Sequence, residues 1–267
     1  MDLTPNIVYS EAPDPKRVLT IVHGLGEHSA RYQYVLEWLQ AHHCSAVIGD
    51  LPGHGRSPGT RGHIEHFDQY ISAVEALHES ARTHFGSTLP HFLLGHSMGG
   101  LIAALAAPKI HQHDPLHGLL LSSPAFGTAL AIPGWRLTLG RLLVRFLPRL
   151  EQPTGIPAED VTRSPTIVAA YANDPDVLKR VTLRFFFAFT EAMAAANERT
   201  AAVSLPVGVW QAGADKIVSV SATKAWFDRC ESADKAYREW PGLYHELLNE
   251  PERDEVLDSM LDWMCAH

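Results

Sequence analysis

The segment Phe92-Leu93-Leu94-Gly95-His96-Ser97-Met98-Gly99-Gly100-Leu101 constrains what this chain can fold into more than any other stretch. An apolar run suited to a buried strand leads into a G-x-S-x-G turn, and an apolar run with helical spacing leads out of it. This is the strand–turn–helix setting that the motif requires. A strand that reverses so sharply into a helix has no room for side chains beside the turn, which explains the glycines, and it lifts the serine hydroxyl above the end of the sheet. Ser97 is therefore the candidate nucleophile.

A serine hydroxyl attacks poorly at neutral pH unless a base takes its proton and a third group holds that base in the right tautomer. Behind an elbow of this kind the partners follow in the order acid, then histidine. After the apolar run Val207-Gly208-Val209-Trp210 comes Gln211-Ala212-Gly213-Ala214-Asp215, which places an acid on a glycine-containing turn at a strand end. Trp240-Pro241-Gly242-Leu243-Tyr244-His245-Glu246 then sets a histidine in a short loop before the last helical segment. Asp215 and His245 are the candidate orienting acid and base. Singly, each piece is commonplace: the motif occurs by chance, an Asp after Gly is often a turn residue, and a lone His is usually solvated. Their joint order and setting are not commonplace.

Acyl transfer also needs two backbone N–H donors for the oxyanion. One belongs to Met98, which follows the nucleophile. The other is expected from Leu25, in the glycine-rich turn Ile21-Val22-His23-Gly24-Leu25-Gly26-Glu27-His28. That turn lacks G-x-G-x-x-G and so fails as a dinucleotide site. Asp50-Leu51-Pro52-Gly53-His54-Gly55-Arg56-Ser57 is a further glycine turn at a strand end, read as structural support beside the site.

The rest of the chain shows no internal repeat. Short apolar runs at 18–23, 45–49, 91–96, 118–122, 206–211 and 236–240 alternate with helix-period segments near 31–42, 67–83, 98–107, 220–230 and 253–264. Such alternation predicts an α/β fold, a mostly parallel sheet with helices on both faces. Between Ser123 and Thr200 the pattern breaks into prolines and helical stretches without a convincing strand. The expected division is a core of residues 1–123 and 201–267 with a helical cap at 124–200. In the cap, Trp135, Leu139, Leu142, Leu143, Val144 and Leu147 share one side of a helical wheel opposite Arg141, Arg145 and Arg149. Packing of that stripe on the body is favoured over contact with a lipid surface.

Composition removes several function classes. A formal charge of −8, from 22 Lys+Arg against 30 Asp+Glu, argues against nucleic acid as a partner. The first residues, Met1-Asp2-Leu3-Thr4-Pro5-Asn6, carry neither the basic nor the apolar region of a secretory signal, so a cytoplasmic protein is expected, with peripheral membrane contact left open. Cys44, Cys230 and Cys265 show no C-x-x-C spacing and are read as reduced thiols. Sixteen histidines raise the question of a metal, but neither His42-His43 nor His111-x-His113 has the spacing of a zinc site. No metal and no organic cofactor are expected, and the oligomeric state stays open.

With these motifs placed, the chain resembles the monoacylglycerol lipase and lysophospholipase group of α/β-hydrolases, also grouped with the serine aminopeptidase-like hydrolases. The resemblance runs from about Val18 to Met264. Its specific parts are His23-Gly24-Leu25-Gly26-Glu27-His28-Ser29-Ala30-Arg31-Tyr32, Gly95-His96-Ser97-Met98-Gly99-Gly100, Gly213-Ala214-Asp215 and Tyr244-His245-Glu246. The cap segments Val161-Thr162-Arg163-Ser164-Pro165 and Ala169-Ala170-Tyr171-Ala172-Asn173-Asp174-Pro175 are similar to one of the group as well. The resemblance implies a serine hydrolase that cleaves monoacylglycerols, a small lipid ester substrate, with Glu27 and Arg31 lining a polar pocket for the glycerol headgroup. On chemistry alone that carboxylate and guanidinium can bind hydroxyls or pair with each other. The sequence departs from the group's pattern at Leu25, where alanine is expected, and at Asp176-Val177-Leu178, where a histidine often follows Asp-Pro. Lysophospholipase, short-chain carboxylesterase and aminopeptidase readings share the same triad. A non-catalytic ligand-binding relative is the reading from a different class. Ser97 at the elbow sets aside the dehalogenase and epoxide hydrolase relatives, which carry aspartate there.

Overall fold

Nine strands and eight α-helices are found among the described residues, 6–129 and 134–267 of a computed structural model. Met1–Pro5, on which the reading of the first residues rests, lie outside this range, as do the side chains of Trp135 and Arg136. The strands are β1 Asn6–Ser10, β2 Arg17–Val22, β3 Cys44–Asp50, β4 His91–His96, β5 Gly118–Ser122, β6 Glu151–Pro153, β7 Arg180–Thr182, β8 Val207–Ala212 and β9 Lys235–Trp240. The helices are α1 Gln33–Ala41, α2 Asp68–Phe85, α3 Met98–His113, α4 Gly134–Leu143, α5 Pro165–Asn173, α6 Leu183–Glu198, α7 Val220–Arg229 and α8 Arg253–Ala266.

Seven strands form one sheet in the order β1-β3-β2-β4-β5-β8-β9, parallel except where β1 runs against β3. The central strands are buried along their whole length, so their apolar runs are continuous. Successive side chains nevertheless serve opposite faces. On β4, Leu93 packs with Tyr70 and Val74 of α2 and Leu101 and Ile102 of α3, while Phe92 and Leu94 pack with Leu36 and Leu39 of α1 and Met260 and Met264 of α8. Trp226 of α7 joins the first of these layers.

Several features depart from the sequence reading. β1 was not expected: it is an edge strand whose Val8 and Tyr9 face solvent, so it needs no apolar alternation to be held by its pairing with β3. The stretch between β5 and β8, expected to lack strands, contains β6 and β7, which pair Gln152 with Val181; three residues are too few to print a period. α3 also runs past Pro108 to His113, although a helix end at Ala107 was expected. Burial of Ile110 against the core holds the last turn despite the missing N–H.

The wheel of apolar residues around α4 also behaves differently. The helix stops at Leu143, and Leu139, Leu142, Phe146, Leu147 and Leu150 are exposed, with Phe146 at 75% and Leu142 at 59%. The stripe is not packed on the body as favoured; Leu143 and Val144 alone of its described members are half-buried.

Backbone approaches very closely at two glycines of the elbow. A Cβ on Gly99 would lie 2.2 Å from the Val22 carbonyl oxygen, and one on Gly95 would lie 2.3 Å from that of Gly99. Neither neighbour is a flexible side-chain end, so the clash must move a central strand. Gly99→Ala is expected to destabilise the protein by about 3 kcal/mol, the upper part of the overpacking range, read as a lowered midpoint in urea at unchanged slope. An unchanged midpoint would show that the elbow relaxes.

Candidate active site

Parallel strands bring their carboxyl ends to one edge of the sheet, and loops there can share a site. The turn after β2 carries Leu25, the elbow after β4 carries Ser97, the turn after β8 carries Asp215 and the loop after β9 carries His245. Ser97 sits at φ 54 and ψ −120, a left-handed conformation unusual for a residue with a side chain. Its backbone is over-determined: the amide donates to the Ser122 carbonyl at 3.0 Å, and its carbonyl accepts from Leu101 and Ala125. That pinning sustains strain of about 1–3 kcal/mol.

His245 Nε2 lies 2.8 Å from Ser97 Oγ, and His245 Nδ1 lies 2.7 Å from Asp215 Oδ2. An ionised carboxylate can only accept, so Nδ1 carries the proton and Nε2 is left free to accept from the hydroxyl. Asp215 Oδ1 accepts from the Ile217 and Val218 amides, both at 2.9 Å. Burial pushes the Asp215 carboxyl up, but His245 and those amides outweigh it and hold the group below its ordinary value. For His245, burial favours the neutral ring, yet Asp215, and after it Glu246 and Glu27, raise it above the ordinary imidazole value. The loops that carry Asp215 and His245 are also tied directly, by Gly213 N–H to the Trp240 carbonyl and Ala214 N–H to the Leu243 carbonyl.

Met98 opens α3 and Leu25 lies in the turn after β2; among the described residues neither amide donates to a protein acceptor. Asp50 reinforces this region as a structural residue, accepting from the Ser29 amide at 2.6 Å and the Arg56 amide at 2.9 Å. A cavity of about 430 Å³ has Ser97 and Leu25 in its wall together with Val181, Leu183, Phe185 and Phe187. Glu27 and Arg31 are not in that wall. The Arg31 guanidinium, 8% exposed, donates to Glu27 Oε1 at 2.6 Å and forks onto both oxygens of Glu246 at 2.7 Å. Glu27 Oε2 accepts from the Gly24 amide and from Tyr32. Burial would raise the Glu27 carboxyl, but Arg31 drives it well below the ordinary range.

Glu246 and the phenylalanines of α6 were not singled out from sequence. Glu246 pairs with a residue 215 positions away, a separation that no local pattern reports. A larger hollow of about 810 Å³ between α2 and the end of α3 shares no residue with the site. Among the described residues no group of three or more His, Cys, Asp or Glu side chains can hold a metal ion.

The sequence profile of a hydrolase family described as "Serine aminopeptidase, S33" matches residues 13–252. The chain belongs to this serine aminopeptidase family. It is a hydrolase of the α/β-hydrolase fold. Among its relatives, a phospholipase of Bacillus subtilis, YtpA, is 37% identical over 92% of this chain and 94% of that protein. A monoacylglycerol lipase of Mycolicibacterium smegmatis is 31% identical over 97% of this chain and 92% of that protein. The crystal structure of Paleococcus ferrophilus monoacylglycerol lipase superposes with a TM-score of 0.86 at 28% identity, covering 98% of this chain and 99% of that one.

Proposed function

We propose that the protein is a carboxylic ester hydrolase that cleaves monoacylglycerols to fatty acid and glycerol through an acyl-enzyme on Ser97. The observation that carries this reading is the apolar cavity opening beside Ser97, one chamber suited to one acyl chain. His245 takes the Ser97 proton as Oγ attacks the ester carbonyl, the Leu25 and Met98 amides hold the oxyanion, and Asp215 stabilises the imidazolium. His245 then protonates the departing glycerol alkoxide. A water, deprotonated by His245, attacks the acyl carbonyl and releases the fatty acid and free Ser97.

Names of relatives point to both monoacylglycerols and phospholipids, so the headgroup decides. A phosphate headgroup requires an available cation. Arg31 is already saturated by two carboxylates, which favours the neutral glycerol. Because that saturation also removes Glu27 and Arg31 from the cavity wall, their bearing on the headgroup is indirect in this reading. Turnover of a panel of monoacylglycerols, triacylglycerols, lysophosphatidylcholine, short p-nitrophenyl esters and an aminoacyl amide, with Ser97→Ala as control, tests it. Ser97-dependent preference for monoacylglycerols is expected. Preference for lysophosphatidylcholine or the amide would overturn the substrate while keeping the triad.

In the same reading, the described residues of 124–200 form a cap over the site and its exposed face meets the surface on which the substrate resides. The apolar Leu139, Leu142, Phe146 and Leu147 lie near exposed Arg141, Arg145 and Arg149, a combination that suits an anionic lipid interface. No described helix is long and apolar enough to cross a membrane. Contact is then peripheral and transient, from a cytoplasm whose reducing conditions suit the free thiols of Cys44, Cys230 and Cys265. Leu142→Ser/Phe146→Ser is expected to lower partition onto phosphatidylglycerol vesicles about 10-fold, judged by co-sedimentation, with hydrolysis of a soluble short-chain ester unchanged. Equal sedimentation of both proteins would remove this face from the interface.

A further inference from the structure

We propose that Arg31 is a positioning residue for this hydrolysis, locking the oxyanion turn and the histidine-bearing loop into one relation through Glu27 and Glu246. The inference rests on the ester hydrolase reading above. Four backbone pieces are tied to its guanidinium, directly or through Glu27 and Glu246. Through Glu27, whose Oε2 accepts from the Gly24 amide at 2.6 Å, it grips the peptide next to the Leu25 donor. Through the fork onto Glu246 it grips the residue that directly follows His245. The Glu246 amide in turn donates to the Val161 carbonyl at 2.8 Å, and the Tyr171 ring of α5 lies 4.8 Å from the guanidinium carbon. The oxyanion turn, the base loop and two stretches of the insertion are thus joined at one buried cation.

A buried pair of carboxylates around one guanidinium is a costly way to gain stability, since desolvation offsets most of the attraction. It is a good way to fix geometry, because the planar fork accepts one arrangement only. Two loops that must present an oxyanion donor and a general base to the same carbonyl need that kind of relation, and misplacement by about 1 Å can cost about 100-fold in rate. The cluster of Glu27, Arg31 and Glu246 also carries one net negative charge beside His245. The other titratable groups facing that ring are Asp215 and His96, the latter with its ring centroid 4.8 Å away.

The test compares wild type, Arg31→Lys, Glu246→Gln and the charge-balanced double variant Arg31→Met/Glu246→Gln on two esters: a monoacylglycerol and p-nitrophenyl butyrate, which has no glycerol. Thermal unfolding by circular dichroism establishes that each variant is folded. For Arg31→Lys and the double variant, kcat is expected to fall about 10- to 100-fold on both esters with KM changed less than about threefold, because the lost fork is not a substrate contact. Glu246→Gln removes one negative charge near His245, so the acid limb of its kcat/KM profile moves to lower pH. Arg31→Lys keeps the charge and leaves that limb in place.

A loss confined to the monoacylglycerol and expressed in KM would overturn the proposal and make Arg31 a headgroup contact. Unchanged kcat on both esters would overturn it as well. Should the double variant not fold, Arg31→Lys and the near-isosteric Glu246→Gln still decide. Failure of the substrate reading shows separately, as Ser97-dependent turnover of p-nitrophenyl butyrate without turnover of the monoacylglycerol.

Discussion

Ser97→Ala is expected to lower kcat on a soluble ester about 10⁵- to 10⁶-fold while leaving the protein folded, the largest effect of any single change in this molecule. Among the described residues the hydroxyl bonds only to His245 Nε2 at 2.8 Å, and what holds Ser97 itself in the elbow is backbone: its amide on the Ser122 carbonyl and its carbonyl under the Leu101 and Ala125 amides. An alanine must adopt the same positive φ, so the strain at this position persists and the thermal midpoint should stay within a few degrees. A loss of 10⁶ corresponds to about 8 kcal/mol of barrier, far beyond what a displaced substrate explains. Adding His245→Ala to the first change should cost little more, since in the proposed mechanism Ser97 and His245 act as one unit. In the proposed mechanism, what turnover remains comes from the Leu25 and Met98 donors and from binding. Single-turnover kinetics with a p-nitrophenyl ester measures all three proteins. Activity above about 1% of wild type in Ser97→Ala would place the nucleophile elsewhere.

The parts of this molecule that short-range physics writes down are legible in its sequence. The G-x-S-x-G turn is legible because sterics at Gly95 and Gly99 forbid other residues there. The parallel strands are legible because burial on both faces demands unbroken apolar runs such as Phe92-Leu93-Leu94. Asp215 and His245 could be nominated because chain order around such an elbow is restricted, and the distances between them then follow from the adjacency of β8 and β9. The edge strand β1 was invisible because an edge has a weaker need for pattern.

Long-range electrostatics left less trace. The sequence marked Glu27 and Arg31 as worth attention, but the partner that saturates Arg31 is Glu246, on the far side of the chain. An acidic residue beside a histidine carries no signal of that bond. The stripe around α4 departs on two counts: Leu139 and Leu142 keep their helical places but face away from the body, and a wheel drawn through Leu147 presumes a helix that continues, whereas α4 stops at Leu143. The apolar residues beyond Leu143 are no longer helical, and their exposure is set by where the chain bends, which periodicity cannot report.

Asp215→Asn is expected to cost about 10⁴-fold in kcat with the fold intact. The amide is nearly isosteric, and its oxygen can still accept from the Ile217 and Val218 amides. Its nitrogen, however, can only donate, and it would face His245 Nδ1 across 2.7 Å. The ring then flips to the tautomer protonated on Nε2, the nitrogen that must accept the Ser97 proton. The pH profile separates this from mere loss of packing. The base works only when neutral, so the acid limb of kcat/KM reports its protonation in the free enzyme. In the native protein Asp215 is the main influence raising His245, and its removal lets burial dominate, so the limb must shift to lower pH. Profiles collected from about pH 5 to 9 on a short p-nitrophenyl ester would show a curve lowered throughout and displaced to the acid side. A uniform loss with the limb unmoved would mean that Asp215 braces the turn without setting the charge of the base. A loss below about tenfold would mean that the tautomer is held by another group.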